Sequence, residues 1–192
     1  MVAVDETQLV ALRRKDPVAY RELLQELGDS LYHVAFRILK DAAKAEEVVQ
    51  EVFFKALKSI DQFEGRSSLK TWLYRITVNE ALMAQRKELP HLETPLEELM
   101  PRYETPQSST ALPHWAQNPE KMASDHEFQL FYQECLATLP EILRTAYVLK
   151  DEEGLSEEEI SQILGVTKSA VKNRAHRARL MLRNLIGARY GD

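Results

Sequence analysis

The chain has 192 residues, of which 44% are hydrophobic and 29% charged, and its formal net charge is −5. This length fits one domain or two small ones, and the composition is typical of a globular protein. No apolar run approaches the roughly 20 residues of a membrane helix, and the N-terminus lacks the pattern of a signal peptide. We therefore expect a cytoplasmic protein without membrane insertion.

The chemistry-bearing residues argue against an enzyme. A single cysteine, Cys135, excludes an internal disulfide and a multi-cysteine zinc site, and it suits a reducing compartment. The five histidines show no metal-ligand spacing. The sequence has no phosphate-binding glycine loop and no nucleophile–base pair in a supporting context. We therefore predict a binding protein with no catalytic residue, no metal and no cofactor.

Helical periodicity dominates a chain that has only six glycines, so the predicted fold class is all-α. A first block covers residues 5–87, with helices near 6–14, 17–39, 42–60 and 67–87 and a possible break at Gly28. Asp16 followed by Pro17 is a helix start signal. Asp41 is expected to cap the third helix, and either Ser67 or Ser68 the fourth.

Periodicity is lost over residues 88–121. This stretch holds six of the eight prolines, and residues 88–120 carry six acidic side chains and one basic one. We predict an irregular, acidic and flexible linker. A second helical block follows at 122–188, with helices near 124–137, 140–151, 156–164 and 167–187. The predicted architecture is two small helical domains on a tether.

The helix at 42–60 has one apolar face, formed by Ala45, Val49, Val52, Phe53, Ala56 and Ile60. Its other face is acidic and carries one protruding aromatic ring; these residues are Glu46, Glu47, Gln50, Glu51 and Phe54. Such a face suits a basic partner helix. The alternative is an ordinary solvated face on which Phe54 packs against a neighbour.

The stretch FEGRSSLKTWLYRITVNEALMAQRK begins with a glycine turn and continues as a helix. On a helical wheel Asn79 falls within the apolar stripe of Trp72, Ile76 and Met83, so we expect it to be buried. A buried Asn must form hydrogen bonds, either with neighbouring backbone or with the edge of an unstacked base. Aromatic rings at 63 and 72 and basic residues at 66, 70, 75, 86 and 87 favour a single-strand site.

The segment LSEEEISQILGVTKSAVKNRAHRARLML has the layout of a helix-turn-helix. Ser156 and Glu159 form a capping-box pattern, Gly165 allows the turn, and Thr167 can cap the second helix. That helix has a buried stripe of Val171, Ala175, Ala178 and Leu182, and its opposite face presents Ser169, Lys172, Asn173, His176 and Arg177.

Charge supports DNA binding by this segment. Residues 168–189 hold seven basic and no acidic side chains, whereas residues 151–159 hold six acidic and no basic ones. The alternative is a solvated basic helix on an ordinary bundle. Arg179 and Arg183 are expected to contact phosphates rather than bases.

Three motifs, AEEVVQEVFFKAL, FEGRSSLKTWLYRITVNEA and LPEILRTAYVLKDEEGLSEEEISQILGVTKSAVKNRAHRAR, occur in this order along nearly the whole chain. In this respect the chain resembles the extracytoplasmic-function (ECF) sigma factors of the sigma-70 family of bacterial RNA polymerase. The resemblance implies sigma region 2 in the first block and sigma region 4 in the second. It implies a bacterial cytoplasmic monomer that needs core polymerase to initiate transcription.

The resemblance also implies residue roles. Glu46, Glu47, Gln50, Glu51 and Phe54 are expected to bind the β′ subunit of core polymerase, while the second block touches the β flap. The residues expected at the −10 element are Phe63, Arg66, Lys70, Trp72, Arg75 and Asn79. Those expected at the −35 element are Ser169, Lys172, Asn173, Arg174, His176, Arg177 and Arg179.

Two further expectations follow from the resemblance: the linker passes through the polymerase channel, and an anti-sigma factor controls the protein. The competing class is an ordinary helix-turn-helix regulator, which binds palindromic DNA alone as a dimer.

Overall fold

The computed structural model describes residues 6–88 and 126–190, and every regular element in these two ranges is helical. The all-α prediction is therefore confirmed. Apart from Glu88, which ends a helix, the predicted linker lies outside the described residues.

The first block forms α1 (Glu6–Arg13), α2 (Pro17–Leu39), α3 (Ala42–Ser59), a 3₁₀ turn (Ile60–Gln62) and α4 (Leu69–Glu88). The predicted start of α2 is correct, since the Asp16 carboxylate accepts a hydrogen bond from the Val18 amide at 2.9 Å. At α4 the cap is Ser68, whose hydroxyl accepts from the Thr71 amide at 3.0 Å. The possible break at Gly28 does not occur, because α2 is continuous through it.

The second block forms α5 (His126–Thr138), α6 (Glu141–Tyr147), a π-helical turn (Val148–Glu152), α7 (Glu157–Leu164) and α8 (Lys168–Tyr190). The predicted helix at 140–151 is thus divided. After Tyr147 the backbone widens into the π-helical turn, and the Glu153 amide donates to the Val148 carbonyl at 2.9 Å. Such turns are rare and are often found at functional positions.

Helices α2, α3 and α4 form the core of the first block. Leu31, Val52 and Leu73 are fully buried among them, and each such side chain contributes about 1.5–3 kcal/mol of transfer free energy. In the second block, Ile160 on α7 and Val171 on α8 are fully buried as well. The buried residues of both blocks belong to one hydrophobic cluster, which holds the surface residues in place.

The two blocks also pack against each other, a contact that no local sequence pattern predicts. Helix α2 contacts α6 and the π-helical turn, and α4 contacts α7. The Arg144 guanidinium is buried in this region and donates to the Ile38 carbonyl at 3.3 Å. We call the contacts of α2 and α4 with the second block the seam. It sets the helix-turn-helix against α4.

Candidate nucleic-acid interface

The helix-turn-helix begins with the predicted capping box. The Ser156 hydroxyl accepts from the Glu159 amide at 3.2 Å, and the Glu159 carboxylate accepts from the Ser156 amide at 2.9 Å. Gly165 then ends α7 in the left-handed conformation, with φ of 65°, which glycine adopts without steric cost. The Thr167 hydroxyl accepts from the Ala170 amide at 3.2 Å and starts α8.

Helix α8 has the two faces that the sequence predicts. Val171, Ala175, Ala178 and Leu182 are buried. On the outer face the exposed side chains are Ser169, Lys172, Asn173, His176, Arg177 and Arg179.

Two arginines of α8 that are predicted to contact DNA, Arg174 and Arg179, differ from the other predicted contacts in burial or in pairing. Arg174 is half-buried, and burial lowers the pKa of its guanidinium, which nevertheless stays charged. Arg179 forms an ion pair with Asp151, in which Nη2 and Oδ1 are 2.9 Å apart. DNA must therefore compete with Asp151 for Arg179.

A cavity of about 440 Å³ opens beside the loop that precedes α4. Phe63 and Trp72 form an aromatic wall, with ring centroids 5.4 Å apart, and Arg66 and Arg75 add positive charge. The Phe63 side chain is only 5% exposed. Gln162 of α7 lines the same cavity, so the second block contributes to a site that the sequence assigns to the first block alone.

The expectation that Asn79 is buried is wrong. Asn79 is exposed, and in its stripe Trp72 and Ile76 are half-buried and Met83 is 51% exposed. Helix α4 is apolar on more than one side, and Leu73 and Val78 occupy the buried side.

Asn79 consequently needs no buried hydrogen-bond partner. It is exposed on α4, about two turns after Trp72, and it does not line the cavity, whose residues are Gln62, Phe63, Glu64, Arg66, Ser67, Thr71, Trp72, Arg75 and Gln162. Lys70, another residue predicted at this site, is exposed on α4.

The acidic face of α3 has the predicted arrangement. Glu46, Glu47, Gln50 and Glu51 are exposed, and Phe54 is 49% exposed with the Lys58 ammonium 3.8 Å from its ring centroid. Ala45, Val49, Val52, Ala56 and Ile60 are buried on the other side, although Phe53 is only half-buried. The chain thus presents an outward carboxylate cluster with an accessible aromatic ring.

Two carboxylates at the end of the π-helical turn reach across the seam. Glu152 accepts from Arg37 Nη2 at 3.0 Å, and Glu153 accepts from the Tyr74 hydroxyl at 2.6 Å. Nδ1 of His33 is 2.7 Å from the second oxygen of Glu153.

The seam alters the acid–base properties of these groups. Burial acts to raise the pKa of Glu153, but the hydrogen bonds with His33 and Tyr74 outweigh it and hold that pKa below its usual range. Burial and the hydrogen bond to Glu153 raise the pKa of Tyr74. Glu153 is therefore a carboxylate and Tyr74 a neutral donor at neutral pH.

Within residues 6–88 and 126–190, no helix is long and apolar enough to cross a membrane. The same ranges contain no group of three or more His, Cys, Asp or Glu side chains placed to hold a metal ion. Cys135 is buried, and burial raises the pKa of its thiol, which disfavours the reactive thiolate.

Comparison with known proteins gives two family matches. The sigma-70 region 2 profile matches residues 23–89, and the sigma-70 region 4 profile matches residues 132–182. These segments include the acidic face of α3, the cavity at α4 and the helix-turn-helix.

The chain is 37% identical over 185 residues to the ECF RNA polymerase sigma-E factor of Escherichia coli, with 95% of this chain and 94% of that protein covered. It is 32% identical over 169 residues to the ECF RNA polymerase sigma factor SigE of Mycolicibacterium smegmatis, covering 88% of this chain but 62% of the relative.

Among solved structures, the sigma factor RpoE of Bartonella quintana, in complex with the anti-sigma factor NepR, superposes with a TM-score of 0.66. That match has 25% identity and covers 88% of this chain and 98% of the other. The chain therefore belongs to the ECF sigma factors of the sigma-70 family.

The sequence placed the acidic face and the outer face of α8 correctly, but it missed Gln162, Glu152 and Glu153. The only sequence signal for the two glutamates is the one-signed acidic run at 151–159. That run does not reveal its partners, because His33, Arg37 and Tyr74 lie about 80–120 positions away in the chain.

Proposed function

We propose that this chain binds core RNA polymerase, directs it to −35 and −10 promoter elements, and promotes promoter melting without catalytic groups of its own. The observation that carries the proposal is one helical scaffold with three distinct surfaces inside the matched sigma segments. These are an acidic face on α3, an aromatic and basic cavity at α4, and a basic face on α8.

The α3 face is proposed to dock on the β′ subunit. Glu46, Glu47, Gln50 and Glu51 supply charge and hydrogen bonds for a basic helix, and Phe54 supplies apolar area at the centre of the contact. Opposite charges accelerate and orient such encounters, while a central aromatic residue commonly carries much of the affinity.

The cavity beside α4 is proposed to receive a base of the non-template strand. Phe63 and Trp72 offer apolar walls, and Arg66, Lys70 and Arg75 offer charge for the phosphates. Unstacking a base costs a few kcal/mol, which these contacts and polymerase binding offset without ATP. Asn79 acts outside the cavity, on a neighbouring nucleotide.

Helix α8 is proposed to enter the major groove at the −35 element. Asn173 and Arg177 have the chemistry to read adenine and guanine edges, and Lys172 suits guanine or phosphate. Ser169, Arg174, His176 and Arg179 complete the predicted contact surface. The second block also touches the β flap.

The proposed setting is the bacterial cytoplasm, with the free chain a monomer. An anti-sigma factor is the proposed regulator, and support comes from the NepR complex of the Bartonella quintana relative. The acidic linker is proposed to pass through the polymerase channel.

The test is transcription by purified core polymerase on a library of genomic fragments, with and without the chain. We expect RNA from a subset of fragments only when the chain is present. A Glu47→Lys/Glu51→Lys variant is expected to lose both core binding and RNA, because it reverses charge on the docking face without touching the core. Specific binding of a palindrome by a free dimer, with no effect on polymerase, would identify an ordinary regulator instead.

A further inference from the structure

The proposed −10 cavity receives one hydrogen bond from a helix that the sigma-70 region 2 match does not include. That match begins at residue 23, whereas α1 ends at Arg13. The Arg13 guanidinium donates from Nη2 to the Phe63 carbonyl oxygen at 2.8 Å. We propose that Arg13 is a positioning residue of the −10 site, which holds the loop of residues 63–67 in the shape that receives an unstacked base. This role rests on the proposed function of the cavity.

The loop of residues 63–67 forms one side of the cavity and depends on support from outside. It connects the 3₁₀ turn to α4 and supplies Phe63, Glu64, Arg66 and Ser67 to the cavity wall. Within residues 6–88 and 126–190, the bond from Arg13 is the one side-chain hydrogen bond that reaches the backbone of this loop from another helix. The loop therefore has a single polar anchor at its first residue.

Phe63 is the residue at which this anchor has most effect. Its amide donates to the Ile60 carbonyl at 3.1 Å, and its own carbonyl accepts from Arg13, so the backbone is held on both sides of the residue. A charged donor makes the second of these bonds the stronger kind. Because the Phe63 ring packs against Trp72, a rotation of this backbone would move the aromatic wall and redirect the loop that follows.

Helix α1 gives Arg13 a fixed base. Leu12 is fully buried, and α1 packs against α2 and the 3₁₀ turn. Immediately after Arg13 the Lys15 amide donates to the Leu12 carbonyl at 2.9 Å, and the Asp16 amide donates to the Ala11 carbonyl at 3.1 Å. These two bonds are those of a Schellman motif, which fixes the last turn of the helix. The guanidinium thus reaches the loop from a well-held position.

The competing role for Arg13 is a direct contact with a DNA phosphate, since its side chain is also exposed. A phosphate contact supplies affinity without base information, so its loss weakens binding to all sequences alike and lowers the salt dependence. Loss of a positioning residue instead changes the preference among bases. Arg14 provides the matched control, because it is an exposed arginine one position further on that forms no hydrogen bond with the loop in the described residues.

Hydrogen exchange in the full free chain tests the structural step. Exchange is quenched after milliseconds to seconds, and peptides that cover residues 63–67 are compared by mass spectrometry. Arg13→Ala is expected to accelerate exchange in this loop several-fold, because the loop loses its polar anchor, while Arg14→Ala is expected to match the unaltered chain. Equal acceleration in both variants, or none in Arg13→Ala, overturns the proposal.

The functional step is tested with core polymerase on promoters in which each −10 position carries each of the four bases in turn. At the position with the strongest preference, Arg13→Ala is expected to lower open-complex formation on the preferred base by about fivefold, the effect of one hydrogen bond. The ratio of preferred to other bases is expected to fall by a similar factor. Arg14→Ala is expected to keep that ratio. A loss in Arg13→Ala that is uniform over all bases makes Arg13 a phosphate contact and overturns the proposal.

A conservative variant and a stability measurement separate positioning from a general effect on the fold. Arg13→Lys retains a charged donor and is expected to recover part of both the slow exchange and the base ratio. Equal urea midpoints are expected for Arg13→Ala and Arg14→Ala, because both side chains are exposed. A lower midpoint for Arg13→Ala with an unchanged base ratio, or an Arg13→Lys variant no better than Arg13→Ala, contradicts the assigned role.

The two measurements also separate this proposal from the proposed function. If the unaltered chain and core polymerase form no open complex on any promoter, the proposed function is wrong. The exchange result then still decides whether Arg13 orders the loop. If open complexes form and depend on the −10 bases, an unchanged base ratio in Arg13→Ala overturns the positioning role alone.

Discussion

The two proposed DNA-reading surfaces differ in how the rest of the chain surrounds them. The outer face of α8, including Lys172 and Asn173, is exposed to solvent. The cavity at α4 instead borrows part of its wall from α7, through Gln162. The packing of the two blocks therefore leaves the proposed −35 surface exposed, whereas it forms part of the proposed −10 site.

The largest effect is expected from Phe63→Ala, because this ring is both a core residue and a cavity wall. It is 5% exposed and packs against Trp72, so its removal is expected to lower the free energy of unfolding by about 3 kcal/mol or more, measured by urea denaturation. The control is Phe54→Ala. Because the Phe54 ring is 49% exposed, this change is expected to lower the free energy of unfolding by less than about 1 kcal/mol. Equal losses would remove the structural distinction between the two rings.

On the other reader, Arg177→Ala is expected to weaken −35 binding by the polymerase complex by about 1–3 kcal/mol and to relax preference at one base pair. The comparison variant is Arg179→Ala, which is expected to weaken binding to all −35 sequences by the same factor. Binding to a set of −35 duplexes with single base changes checks this. A uniform loss for Arg177→Ala would make it a phosphate contact.

A smaller effect on the free energy of unfolding is expected when the pH is lowered, because Glu153 becomes protonated. The charged and titratable groups around it come from α2, α4, the π-helical turn and α7, and they are His33, Arg37, Tyr74, Glu152 and Glu159. Because its pKa is lowered in the folded chain, Glu153 stabilises that state above its unfolded pKa, and the contribution is lost as pH falls through the folded value.

We therefore compare the free energies of unfolding of the unaltered chain and Glu153→Gln across pH. The difference between pH 7 and about 5 serves as the reference, and it is expected to shrink below about pH 4.5, where the Glu153 carboxylate starts to take up protons. A difference that grows as pH falls below this range would contradict the assigned direction of the pKa shift.

The smallest expected effect on stability is that of Asn79→Ala. Because Asn79 is exposed, the free energy of unfolding should change by no more than about 0.5 kcal/mol. Open-complex formation is nevertheless expected to fall, by roughly fivefold if one hydrogen bond to DNA is lost, while core binding stays unchanged. A large loss of stability, or of core binding, would show a structural role.

Helices α8 and α4 also differ in how far sequence could predict them. On α8 one apolar stripe opposes a polar face, so helical period alone identifies Val171 and Leu182 as buried. On α4 several sides are apolar, and period cannot decide which of them faces the core. For this reason the prediction that Asn79 is buried is wrong.

Contacts between distant segments were also beyond prediction. Local signals correctly predicted the caps at Asp16 and Ser156, because these capping bonds join residues only two or three positions apart. The π-helical turn and the seam depend on how the two blocks meet. A sequence pattern that identifies Glu152 and Glu153 as an acidic pair does not show that Arg37 is their partner.

The most direct test of the account is permanganate probing of unpaired thymines at the −10 element of a promoter that the chain activates. We predict reactivity when core polymerase and the chain are both present, and none with either alone. Absence of reactivity in the complete mixture, or melting by core polymerase without the chain, would contradict the account.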